Sequence, residues 1–292
     1  MARIITVTSG KGGVGKTNVS VNLAITLANN GHKTCLFDAD LGLANVNILL
    51  GLYPEYNLED VLEGKKRLSD IIIRDKSGID IIPGSSGVGK MADLSEKDRK
   101  RLAHAFTELE AYDFFIFDTS AGISKNVISF CMSSSEVILV ITPEPTALTD
   151  AYALMKVLTL NGLTKPPKVV VNQSKNAKTA QLAYAKLKDT TLKFLGIQIK
   201  PLGTVVADPR VLQAVASQKP FVSLYPNTQA SRCIKSIAAH LLEATDAQAT
   251  AFTLDTFWNK WFDILIAPIK MPQKKQDATS QKPAKATPEP VR

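Results

Sequence analysis

The residues from Arg3 to Thr17 limit the fold more than any other stretch. Arg3-Ile4-Ile5-Thr6-Val7 reads as a buried strand, and a helical pattern covers 16–30. Between them lies Gly10-Lys11-Gly12-Gly13-Val14-Gly15-Lys16-Thr17, a match to GxxxxGK[ST]. Strand, glycine loop and helix together form the context in which this motif cradles phosphate. Glycines let backbone N–H groups curl around an anion without Cβ clashes, and the following helix adds positive potential at its N-terminus. Lys16 is placed to reach β- and γ-phosphates, and Thr17 to offer a hydroxyl to Mg²⁺.

Further apolar runs of strand length occupy 33–37, 79–82, 114–118, 136–142, 168–172 and 201–206. They are almost continuously apolar, as strands of a parallel sheet covered on both faces must be. Helical patterns at 94–111, 145–161, 177–189, 209–217 and 228–245 alternate with them. The expected fold is therefore α/β, a doubly wound, mostly parallel sheet of the P-loop NTPase class, followed by a C-terminal amphipathic helix. A second GxxxxGK match, Gly84 to Met91, ends without a hydroxyl, and the next helix starts only near Leu94, so it reads as a loop.

Lys11 raises a separate question. Lys16 already serves the phosphates within one subunit, and a second lysine early in the loop points out of the pocket. It becomes useful when two copies meet across two nucleotides and each Lys11 neutralises charge on its partner's phosphates, as an arginine finger does in trans. The sequence thus predicts an ATP-dependent homodimer.

The stretch from Lys11 to Thr17 resembles the deviant Walker A motif of the MinD/ParA family of ATPases, and the similarity runs through about 1–245. The resemblance implies an ATPase that uses ATP and Mg²⁺ and turns over slowly without a stimulating partner. Asp38 and Asp40 fall at the C-terminal end of the second strand, where open α/β sheets place their ligands. Asp40 resembles the family's switch I aspartate, which orients the attacking water, and Asp38 its companion near the magnesium shell. Asp118, delivered by the apolar run before it, is expected to hold Mg²⁺ through water, and Gly122 to let a switch loop rearrange. The catalytic set is thus Lys11, Lys16 and Asp40, and the metal set Thr17, Asp38 and Asp118. By the same resemblance Asn172 is a candidate to read adenine and Asp208 lies on the adenine side. Asp150 is a candidate interface residue beside Lys11.

Within the family, the stretches 38–64, 81–95 and 118–124 are most similar to the subgroup that regulates flagellar number and placement. Septum-site regulators come next, and DNA-partition ATPases after them. Many flagellar regulators carry an N-terminal DQAxxLR-like segment that stimulates a partner flagellar GTPase. This sequence opens on its first strand, so a regulator without that segment is expected, and a flagellar GTPase or another regulator remains a candidate partner.

After about Glu243 the composition changes. Residues 246–270 read as a linker and an amphipathic helix, and 271–292 as a disordered basic tail. Taken as a helix, 252–266 gathers Phe257, Trp258, Trp261, Phe262 and Leu265 on one face. Aromatics at a lipid boundary followed by lysines fit an anionic membrane surface. Six basic residues against two acidic ones after Ile266 carry half of the chain's net +8. The core lacks the basic patch that DNA binding needs, so DNA is not expected as a partner. Three dispersed cysteines, Cys35, Cys131 and Cys233, offer no paired thiols for an iron–sulfur cluster and fit a cytoplasmic protein. The expected location is the cytoplasm, with reversible binding to the inner face of the cell membrane.

Overall fold

The computed structural model describes residues 2–40, 45–84, 94–107, 109, 111–243 and 253–272. Most of the second GxxxxGK match, most of the linker and most of the basic tail lie outside these residues. The chain runs β1 (Arg3–Ser9), α1 (Lys16–Asn29), β2 (Thr34–Ala39), α2 (Asn45–Leu50), α3 (Leu58–Leu62), α4 (Leu68–Ile71), β3 (Ile73–Arg74) and β4 (Asp80–Ile82). It continues through α5 (Glu96–Thr107), β5 (Phe114–Ala121), α6 (Lys125–Ser133), β6 (Glu136–Ile141), α7 (Pro145–Leu160) and β7 (Lys168–Ser174). The rest is α8 (Ala177–Leu195), β8 (Lys200–Val206), α9 (Pro209–Ala216), α10 (Phe221–Leu224), α11 (Gln229–Glu243) and α12 (Leu254–Ile266).

One sheet has the order β3-β4-β2-β5-β1-β6-β7-β8, parallel except at β3. β1 is buried on both faces, with Ile4, Ile5 and Val7 all inaccessible. The chain moves outward from β1 in both directions, which opens a crevice at the carboxyl ends of the central strands. At the opposite edge, the guanidinium of Arg3 donates to Glu136 at 2.7 Å, and Lys168 also pairs with Glu136. Burial pushes this carboxyl up, but the two cations outweigh it and hold Glu136 below its usual range.

Helices α1 and α11 cover one face of the sheet, and α5, α6, α7, α8 and α12 the other. Five short helices were not foreseen: α2, α3, α4, α6 and α10. Four of them span at most six residues, too few for a 3.6-residue period to declare itself. In α6, six of nine residues are buried, so its polar face is missing from the pattern.

In this structure the α12 face expected at lipid is docked on the core. Phe257, Trp258 and Trp261 are inaccessible, and Phe262 and Leu265 are buried. This face packs between α5 and α6 over β2 and β5. The Phe257 ring stacks on Phe117 with centroids 4.5 Å apart, and Trp258 lies 4.1 Å from Phe106. A sheet that exposes Phe37, Phe115 and Phe117 on this side needs a cover of matching size, and α12 supplies it. Beyond the helix, Asn161 exchanges two hydrogen bonds of 3.0 Å with the backbone of Lys270. Phe257→Ala should therefore destabilise the fold by about 3–5 kcal/mol in a urea titration. An unchanged midpoint would contradict the docked helix.

Candidate functional site

The P-loop curls at the carboxyl end of β1, where the sheet order reverses. Gly13 and Gly15 adopt left-handed φ of 78° and 82°, which glycine reaches without Cβ strain. A Cβ on Gly12 or Gly13 would meet nothing within 4 Å, so these positions border open space. A Cβ on Gly15 would lie 2.3 Å from the Asn172 amide nitrogen, and one on Gly10 would lie 2.2 Å from the Asp150 backbone. The first half of the loop is therefore wedged against α7 and its end against β7. The middle faces a cleft of about 980 Å³. Val206, Pro209 and Leu212 form part of the cleft's apolar wall.

Asp118 gathers the charged floor of this cleft. Its carboxylate is fully buried and accepts from Lys16 Nζ at 2.9 Å, Thr17 Oγ1 at 2.7 Å and Ser20 Oγ at 2.7 Å. One turn of α1 thus supplies all three donors. Asp38 sits beside it in strand register. Asp38 accepts from the backbone N–H groups of Asp40 and Val46 at 3.2 and 3.1 Å. Burial first and the Asp118 charge second push its carboxyl up to about 7. Asp40 lines the cleft and accepts from the Asn45 amide at 2.9 Å. The floor offers only hard oxygen donors next to a cation and a glycine cradle, a set that suits Mg²⁺ with phosphate.

The other expected residues fall around this floor. Asn172 Nδ2 donates to the Val14 carbonyl at 2.8 Å, so its amide braces the loop as well as facing the cleft. Asp208 lines the far wall and caps α9, accepting from Arg210 N at 3.0 Å. Asp150 packs behind Gly10 on α7, half-buried. Gly122 takes a φ of 96° and its N–H reaches Ser9 O at 2.9 Å. Lys11 stands apart: its ammonium binds Glu144 and Thr146, each at 2.8 Å, at the start of α7. The buried aromatics of α12 contribute nothing to the cleft. Sequence reasoning missed Ser20, Asn45, Gln173, Glu144 and Thr146. Ser20 was within reach, since it lies one helical turn after Lys16 on the same face. Gln173 adopts a φ of 54°, rare for a residue with a side chain, and its amide reaches Gly13 O at 3.3 Å.

Known proteins share this arrangement. An AAA domain family model matches residues 2–169. The antiactivator FleN of Pseudomonas aeruginosa is 42 % identical, over 81 % of this chain and 85 % of its own. The chain belongs to the MinD/ParA family of ATPases. The flagellum site-determining protein YlxH of Helicobacter pylori is 32 % identical, over 85 % of this chain and 84 % of its own. Among solved structures, the septum site-determining protein MinD of Pyrococcus horikoshii, complexed with Mg-ADP, superposes with a TM-score of 0.66 at 27 % identity. That match covers 84 % of this chain and 98 % of the other. As a MinD/ParA ATPase the chain hydrolyses ATP and uses Mg²⁺. No helix among the described residues is long and apolar enough to cross a membrane. Gly15→Ala places a side chain in left-handed backbone and against Asn172, so ATP affinity by calorimetry should fall about tenfold or more. Wild-type affinity would contradict the wedged loop.

Proposed function

We propose that this ATPase is a dimerising, membrane-associating switch that regulates flagellar number or placement. The observation that carries the switch is the separation of the two lysines. Lys16 lies on the cleft floor, 8 % exposed, whereas Lys11 is 36 % exposed and tethered outside the cleft by Glu144. A surface ion pair of this kind contributes at most about 1 kcal/mol, so a triphosphate on a second copy can compete for the ammonium. In this reading Lys16 moves from Asp118 to the phosphates when ATP enters. Thr17 and Asp118 hold Mg²⁺, with Asp38 behind them, and Asp40 orients the attacking water. Asn172 and Asp208 flank the base, and Asp150 lies by the interface. Positioning and electrostatics supply the catalysis, as phosphoryl transfer requires.

The flagellar role rests on likeness to FleN, at 42 % identity against 32 % for the septum site-determining protein MinD of Bacillus subtilis. Septum placement and DNA partition are the alternatives. The membrane role rests on α12. The indole N–H groups of Trp258 and Trp261 are buried without a hydrogen-bond partner among the described residues. Each such group costs about 1–3 kcal/mol. At a lipid boundary both would find acceptors while their rings stay in an apolar layer. Docking on the core and insertion into lipid are thus alternative homes for one face, with ATP-driven dimerisation shifting the balance.

The test is sedimentation with ATP and Mg²⁺, with anionic vesicles in one tube and duplex DNA in another. Wild type should pellet with vesicles only, and Lys11→Ala with neither, though it still binds ATP. Vesicle binding by the Lys11 variant would contradict the trans-lysine switch. Pelleting with DNA alone would favour partition.

A further inference from the structure

The three donors on Asp118 differ in what they can do once ATP and Mg²⁺ arrive. This step rests on the proposed roles of Lys16, Thr17 and Asp118. Lys16 must turn its ammonium to the phosphates, and Thr17 must turn its oxygen to the metal. Lys16 then leaves the carboxylate, whereas the Thr17 hydroxyl keeps its proton while its oxygen faces the metal. Ser20 has no such second task. It is inaccessible to solvent, and its hydroxyl lies 2.7 Å from Asp118 Oδ1 and 3.1 Å from the Lys16 carbonyl within α1. With one proton to share between these acceptors, the shorter contact to the charged oxygen dominates.

We propose that Ser20 is a positioning residue for the magnesium site: its hydroxyl holds the Asp118 carboxylate in one orientation through the whole nucleotide cycle. The spacing makes this specific. Residues four apart on α1 share a face, so the helix that presents Lys16 to the phosphates also presents Ser20 to the carboxylate behind them. A fully buried carboxylate released by Lys16 would otherwise be free to rotate or draw in water. Asp38, in register on the neighbouring strand, is itself held by the backbone N–H groups of Asp40 and Val46. Ser20 acts through Asp118 and touches neither nucleotide nor metal in this proposal.

Binding of a fluorescent ATP analogue, titrated with Mg²⁺ and repeated in EDTA, tests this on the full-length chain. Ser20→Ala should raise the Mg²⁺ midpoint about tenfold, as loss of one charge-assisted hydrogen bond does. Affinity in EDTA should stay as in wild type. Ser20→Cys fills the same space with a weak donor and should show most of the same shift, separating hydrogen bonding from packing. Three results would overturn the proposal. One is a wild-type Mg²⁺ midpoint in Ser20→Ala or Ser20→Cys. Another is an equal loss of affinity with and without Mg²⁺, which is what general damage to α1 produces. The third is failure of both variants to fold, which makes Ser20 a structural residue. If Asp118→Ala leaves the Mg²⁺ midpoint unmoved, the magnesium site itself is misassigned, a failure distinct from that of Ser20.

Discussion

The buried carboxylate of Asp118 is the interaction on which the rest of the cleft depends. It lies on β5 beside the strand that launches the P-loop, and it binds three donors from the first turns of α1. A buried anion is costly unless paired and hydrogen-bonded, and here two of the partners, Lys16 and Thr17, are the residues proposed to meet a triphosphate and its metal. Pairing within the protein therefore pre-forms the site. In the proposed cycle it also sets the response, because arrival of the ligand draws the Lys16 ammonium away. Asp38 adds to this bias, with burial and Asp118 together pushing its carboxyl up to about 7. A divalent cation relieves the repulsion between the two carboxylates.

The same logic of alternative partners recurs at two other places. Lys11 is held outside the cleft by an exposed acid, a weak tether that a partner's phosphates can replace. The α12 face is held by aromatic packing strong enough to dock it, yet two indole N–H groups find no partner there among the described residues. In the proposed cycle each element moves from a partner within the subunit to a better one outside it. Contiguous structure joins the cleft to α12. Asp118 is on β5, the strand that also carries Phe117 beneath Phe257.

What could be read in the sequence was local. The P-loop, its flanking strand and helix, and the aspartate closing an apolar strand are compact motifs with one physical meaning. What escaped depended on distant pairings. Ser20 meets Asp118 across 98 residues, Lys11 meets Glu144 across 133, and Gln173 meets Gly13 across 160. None of these leaves a periodic mark. The α12 face was read correctly as apolar, and in this structure its partner is the core. Helical periodicity gives the face and its width, but an aromatic stripe suits a phenylalanine-lined sheet as well as a lipid boundary. The strand residues Phe37, Phe115 and Phe117 were the clue, since so much aromatic surface on one side of a sheet demands a cover.

The chain has two tryptophans, and both lie on α12, so their fluorescence reports on that helix alone. Quenching by brominated anionic lipids, compared between ATP and ADP, tests the switch most directly. The account predicts strong quenching with ATP and Mg²⁺ and little with ADP. Emission that ignores the lipid in both nucleotide states would mean that α12 stays on its core, contradicting the switch.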